Sequence, residues 1–207
     1  MGRRIVIYLT GLATTALGIA LIILSFVGAG PWDAVATGLA NHLGLTIGTW
    51  SIISQIAFTL ITWLLEKTRF RIESMIPIAI RSFFLDIWIY VVLANVDFSF
   101  SWVFQWSAFT MGLILAGVGM GIYMEARFPK TPIDGLMVAL SQKWNWSLNK
   151  SRMSIEITGV ILGFLLSGPV GFGTIVTALF LGRIIQFSNA KVKKLLSTQT
   201  DTVEIQA

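Results

Sequence analysis

The chain has no cysteine and only one histidine, His42. The first absence removes disulfides, thiolate zinc sites and thiol nucleophiles together. A lone imidazole cannot build a histidine metal site. Neither the HExxH motif of a zinc protease nor the GxSxG elbow of a hydrolase is present. No enzyme and no cofactor are expected. Charge is scarce too: 12% of the 207 residues are Asp, Glu, Lys or Arg, against about 25% in soluble domains. What fills the space is apolar, with 55% hydrophobic residues and a mean hydropathy of +0.79. A chain of this size cannot hide so much apolar surface from water, and it belongs in a lipid bilayer.

Six apolar stretches are long enough to span, at about 20 residues each: 5–27, 47–65, 74–95, 105–125, 152–168 and 170–189. Segments 31–43 and 132–144 are too short to cross, and each reads as a re-entrant or interfacial helix. Arg3 and Arg4 precede the first stretch, but it is too long for a signal-peptide core, and no cleavage is expected. With the N-terminus in the cytoplasm, thirteen of the fifteen basic residues fall on the inner side: Arg3, Arg4, Lys67, Arg69, Arg71, Arg127, Lys130, Lys143, Lys150, Arg152, Lys191, Lys193 and Lys194. Arg81 and Arg183 lie within spans. The formal net charge of +5 therefore reports topology and inner-leaflet anionic lipid, with no nucleic-acid partner. Both termini are expected in the cytoplasm, around a multi-pass plasma-membrane protein.

A shift of 101 positions brings Pro31 onto Pro132, Asp33 onto Asp134, Gly11 onto Gly112, Gly18 onto Gly119 and Gln55 onto Glu156, with no gap across 11–56. The order of parts repeats as well: long span, break, proline-x-aspartate, short helix, two more spans. The expected fold is all-α, with six transmembrane helices arranged as two inverted three-helix repeats. Residues 1–104 form the first repeat, 105–189 the second, and 190–207 a cytoplasmic tail. An odd number of spans per half inverts the second copy, and many secondary transporters place their sites at such a repeat interface.

Each short helix opens with proline where a missing N–H is harmless and puts aspartate in the first turn, near the positive end of the helix dipole. Thr131 is expected to cap the second copy, with Gly30 in that position in the first. Two readings stand: Asp33 and Asp134 start helices, or they form paired carboxylates at a cavity that takes a cation, a proton or a polar substrate. Trp32 adjoins the first of them.

An ionisable group inside a span costs about 2.5–3.5 kcal/mol on insertion scales and needs a reason. Arg81 and Asp86 sit about 140° apart on their helix, too far round to pair with each other, so each is expected to find a partner on another span. Glu156 is expected to pair with Arg183 or Arg81, either as internal glue or as part of a site. Gly117-x-x-x-Gly121 and Gly159-x-x-x-Gly163 read as packing faces. The run from Gly168 to Gly173 lacks the strand and lysine of a phosphate loop and reads as a turn. Trp50, Trp102, Trp106, Trp144 and Trp146 read as an interfacial belt.

The stretches GAGPWDAVATGLANHLGLTIGTW, TPIDGL and GPVGFGTIVTALFLGRIIQ resemble the YczE/YyaS/YitT group of bacterial integral membrane proteins over about residues 5–189, and the Gly28–Asp33 motif is nearest the YczE branch. That resemblance implies a multi-span inner-membrane protein of Gram-positive or related bacteria, without a substrate. Members of the group often carry an acid near the end of the last span, where this chain has Gly182-Arg183-Ile184-Ile185-Gln186.

The expected function is a small transporter or channel for a polar metabolite or ion. Its candidate site residues are Trp32, Asp33, Gln55, Arg81, Asp86, Asp134, Glu156 and Arg183. The alternative is a membrane scaffold or regulator of a partner protein or biosynthetic system. Beyond the bilayer, the partners to consider are a small polar molecule or ion, a second copy of the chain, or another protein.

Overall fold

A computed structural model describes residues 2–67, 72–126 and 131–205, so Arg69, Arg71, Arg127 and Lys130 lie outside the described residues. Among the described residues there are eight α-helices and no strand: α1 Gly2–Leu24, α2 Pro31–Leu43, α3 Ile47–Glu66, α4 Met75–Ile87, α5 Trp102–Met124, α6 Pro132–Trp144, α7 Leu148–Leu165 and α8 Phe172–Ile205. A π-helical turn, Trp88–Val92, extends α4. Four helical segments are long and apolar enough to cross a membrane: Arg4–Leu24, Ile47–Glu66, Met75–Val92 and Trp102–Met124. The two remaining spans expected from the sequence correspond to α7 and α8. The first of these carries Lys150, Arg152 and Glu156, and the second carries Arg183 and a basic continuation. The expected tail at 190–207 is not a separate segment at its start, because α8 runs unbroken to Ile205.

Helix boundaries follow local chemistry. Pro31 and Pro132 occupy the first turns of α2 and α6. Thr46, Ser101 and Ser147 cap α3, α5 and α7 by accepting from Thr49, Phe104 and Lys150 backbone N–H groups. Thr131 departs from expectation: it sits at the N-cap of α6, but its side chain makes no cap bond. Left-handed residues end α2 and α6 at equivalent places, Gly44 (φ 74°) and Asn145 (φ 51°).

Lipid-type packing explains the centre. Helices α1 and α5 pack backbone to backbone through glycine. A Cβ on Gly18 would lie 2.2 Å from the Ala116 nitrogen, and one on Gly119 would lie 2.4 Å from the Thr15 nitrogen. Gly11 meets Gly119 and Gly18 meets Gly112, so the helices run antiparallel with two matched glycine contacts. Such approach lets dispersion hold helices together where no hydrophobic effect operates. The same device seats α8 on α5, where Gly117 meets Ile184 and Gly121 meets Ser188. It also seats α2 on α7, where Gly159 meets Pro31 and Trp32 and Gly163 meets Ala34. Both small-xxx-small runs thus pack helices. Around this frame α2 packs on α7 and α3, α6 packs on α3 and α7, and α4 packs on α3 and α1.

The segment before α2 is stitched to the turn before α8: Ala29 N–H donates to Pro169 O (2.7 Å) and Gly173 N–H to Val27 O (3.0 Å). Gly28 takes φ 141°, and a Cβ there would lie 2.7 Å from the Thr174 nitrogen, so only glycine fits. The Gly168–Gly173 run is the turn into α8 expected from its composition. Large apolar side chains cover the exterior, among them Phe83, Val91, Val103, Phe164, Leu165 and Ile175. A soluble monomer rarely exposes so much contiguous apolar surface; here it matches a lipid solvent.

Candidate functional site

The two short helices do not lie apart on the surface. Residues Ala34–Gly38 of α2 and Pro132, Leu136 and Ala139 of α6 are buried. Their first turns converge on one apolar cluster: Phe58, Leu136 and Ile155, with Trp32 and Ile133 packed against it. Trp32 and Ile133 are equivalent under the 101-residue shift. The Trp32 indole stands edge-on to Phe58 with ring centroids 4.5 Å apart. Its other side faces Gly159, where a Cβ would come 2.9 Å from Nε1.

Charged and phenolic groups from five helices gather near this cluster. Arg152 Nε donates to Glu156 Oε1 at 2.7 Å, and Arg152 Nη1 reaches Asp134 Oδ1 at 3.4 Å. Thr131 Oγ1 donates to Asp134 Oδ2 at 2.8 Å. The charges of Glu156 and Asp33 act on one another. Arg81 acts on Asp33 and also on Tyr123, and Asp134 acts on Tyr123 in turn. Asp33, Arg81 and Tyr123 therefore lie within electrostatic reach of the Asp134–Arg152–Glu156 group, while the direct contacts among the described residues are those of Arg152. Tyr8 of α1 meets Tyr123 edge-on with centroids 6.2 Å apart.

The two aspartates differ. Asp134 is held by Thr131 and Arg152. The Asp33 carboxylate makes no hydrogen bond or ion pair with a described residue; it folds back over its own N-cap, where a Cβ on Gly30 would lie 2.9 Å from Oδ2. Three buried polar atoms nearby also have no hydrogen-bond partner among the described residues: Trp32 Nε1, Gln55 Oε1 and Arg81 Nε. Gln55 is 7% exposed and belongs to a buried polar stripe on α3 with Ser51, Thr59 and Thr62. Buried polar groups left unpaired cost about 1–3 kcal/mol each, so these atoms call for water, a ligand or a rearrangement to answer them.

Two candidates lie outside this group. Asp86 accepts from Thr46 Oγ1 (2.6 Å) and from Gly48 N–H (2.8 Å), and Ile47 N–H donates to Tyr90 Oη (3.2 Å). Asp86 thus finds its partner on another span, as expected, and that partner is the N-terminus of α3. Arg183 is exposed on α8, with its guanidinium over the Phe180 ring at 5.9 Å. The expected pairing of Glu156 with Arg183 or Arg81 is corrected: the partner is Arg152, one turn earlier on the same helix. The sequence held that signal as an i,i+4 spacing. Tyr123 carried no signal, since its repeat equivalent is Ile22. Away from the site, Ser99 hydrogen bonds hold the exposed Asp97 carboxyl below the usual carboxylate range.

The model of a family of unknown function, DUF6198, matches residues 2–190. The chain belongs to that family. Its similarity to curated relatives is spread over nearly the whole length. The uncharacterized membrane protein YczE of Bacillus subtilis (strain 168) is 32% identical over 191 residues, covering 92% of this chain and 87% of the relative. The uncharacterized protein YyaS of the same strain is 29% identical over 178 residues, covering 86% and 88%. An uncharacterized protein of Haemophilus influenzae is 31% identical over 185 residues, covering 89% and 83%. No solved structure matches the chain. The DUF6198 relatives and the apolar helices together make this a membrane protein.

Proposed function

We propose that this DUF6198 protein is a small transporter or channel for a polar metabolite or ion in the bacterial plasma membrane. It crosses six times as two inverted three-span repeats, with both termini in the cytoplasm. It works by binding and conformational change, without covalent chemistry. The observation that carries this reading is the convergence of the α2 and α6 first turns on one cluster, beside the Asp134–Arg152–Glu156 group and the orphaned polar atoms Trp32 Nε1, Gln55 Oε1 and Arg81 Nε. A scaffold needs no such concentration of ionisable groups, which are costly to keep inside a bundle.

The packing supports the repeat. Exchange α1 with α5, α2 with α6, and α3 with α7: the contact of α2 on α7 becomes that of α6 on α3, and both occur. The Gly11–Gly119 contact becomes Gly112–Gly18, and both occur. This is the behaviour of a pseudo-two-fold axis through the α1–α5 crossing, and inverted repeats of this kind support alternating access around a central site.

The test uses the absence of native cysteine. Asp33→Cys and Asp134→Cys each introduce the only thiol. With an impermeant maleimide, the Asp33→Cys protein should label from outside and the Asp134→Cys protein only from inside, each in part of the population. Thiols closed to both sides in membranes and in detergent would reject the transport reading.

A further inference from the structure

The helices group into two bodies. Helices α1, α5 and α8 form one, and α2, α3, α6 and α7 form the other. Helix α4 bridges them, because it packs on α1 and on α3. Its counterpart in the second repeat is α8, which packs on α5 with no comparable packing on α7. The helix faces show the same difference. On α4, Ser82 and Asp86 meet Gly48 of α3, while Trp88 Nε1 donates to the Ala13 carbonyl of α1 at 3.2 Å. On α8, Ile184 and Ser188 meet Gly117 and Gly121 of α5. Across α8 from that pair, Ile175 and Leu179 are 58% and 61% exposed, and a Cβ on Gly182 would meet nothing within 4 Å.

The matching stripe of α7 is bare too. Under the 101-residue shift, Gly48, Ser51 and Gln55 of α3 fall on Asn149, Arg152 and Glu156 of α7. Ser51 and Gln55 are 5% and 7% exposed, whereas the Arg152 and Glu156 side chains are 42% and 28% exposed. Asn149 is exposed as well. The turn joining α7 to α8 is pinned to the segment before α2 by the Ala29–Pro169 and Gly173–Val27 bonds, at the end of α7 far from Asn149. Between α7 and α8 there is thus a wedge, narrow at the pinned turn and wide at the other end, which is cytoplasmic in the proposed topology.

We infer that α7 closes onto α8 in a second form of the protein. The four-helix body rocks about α4, and the Asn149–Arg152–Glu156 stripe comes to lie on the Ile175–Leu179–Gly182 face. This rests on the transport reading and goes further by naming the moving body, the hinge side and the two closing surfaces. In the closed form α8 bridges the bodies as α4 does, which is rocking of one bundle against another in an inverted-repeat fold. Gly182 admits the close approach, and Arg152 and Glu156 enter the interface already paired at 2.7 Å.

The experiment uses the full-length chain in lipid vesicles. Three double replacements put one thiol on each surface: Asn149→Cys with Gly182→Cys, Asn149→Cys with Gln186→Cys, and Met153→Cys with Leu179→Cys. A disulfide needs Cα atoms within about 7 Å, so on oxidation at least one pair should lock within a single chain. Arg152→Ser with Glu156→Gln gives α7 the residues that α3 has at those positions. It should speed locking of the Met153→Cys/Leu179→Cys pair about tenfold or more, since charge no longer has to enter the interface. If that variant fails to fold, the three pairs in the otherwise native chain still decide. A doubled mass on oxidation, with no lock inside one chain, places a second copy on the α8 face and overturns the closure. No disulfide in any pair overturns it as well. With the Asp33→Cys and Asp134→Cys thiols still reachable, that result removes this inference alone. With both thiols closed, it removes the transport reading too.

Discussion

Asp86 tests whether an acid within a span serves structure here. It accepts from Thr46 Oγ1 and from the Gly48 backbone N–H at the start of α3. Gly48 permits this approach, because a Cβ there would lie 2.7 Å from Asp86 Oδ1. In Asp86→Ala the Thr46 hydroxyl still has Thr49 Oγ1 at 2.7 Å, so it keeps a partner. The Gly48 N–H does not. Stranding it costs about 1–3 kcal/mol, and losing the negative charge at the helix N-terminus costs about 0.3–1 kcal/mol more. The sum, about 1.3–4 kcal/mol, should lower the unfolding temperature of the detergent-solubilised protein by roughly 3–16 °C, at about 2–4 °C per kcal/mol for a chain of this size. Asp86→Asn keeps one acceptor oxygen and should lose about half as much. Neither change should alter thiol access at Asp33→Cys or Asp134→Cys. An Asp86→Ala protein that melts with the wild type would refute the cap. One that melts normally yet changes thiol access would move Asp86 into the functional machinery.

The remaining expectations concern the charged group, the crossing and the topology. In a double-mutant cycle, Glu156→Gln and Arg152→Gln should couple by about 0.5–1.5 kcal/mol, because the pair is close but partly exposed; coupling of Glu156 to Arg183 instead would overturn the pairing. Gly18→Val pushes a side chain into the Ala116 backbone and should destabilise by several degrees, whereas Gly182→Val, with nothing within 4 Å, should leave the unfolding temperature within about a degree. For the topology, a tag inserted after residue 98 should label from outside and one after residue 69 should not; external labelling of both would sink the six-span arrangement.

The all-helical fold and the membrane address were legible in composition. Apolar runs of spanning length and a shortage of charge leave lipid as the solvent, and lipid admits no unpaired backbone. The two short helices were legible to the residue at both ends, because proline at a helix start and a left-handed residue after its end are local rules. The glycine pairs Gly11/Gly112 and Gly18/Gly119 stood out as repeats in the sequence, but that they cross each other was a tertiary fact: spacing along one helix does not say which helix it faces. Partner choice among charges was decided the same way. Glu156 pairs along its own helix with Arg152, Asp86 serves a backbone N-terminus on α3, and Arg183 faces outward over Phe180, since Coulomb attraction acts on distance in space and one-dimensional order supplies only the nearest turns. Tyr123 joined the group through folding alone. The asymmetry between Asp134 and Asp33 is also tertiary, because the 101-residue shift pairs Arg152 with Ser51 and Thr131 with Gly30, and only the packed bundle shows that Asp134 is tethered by hydrogen bonds while Asp33 is reached by Arg81 through space alone.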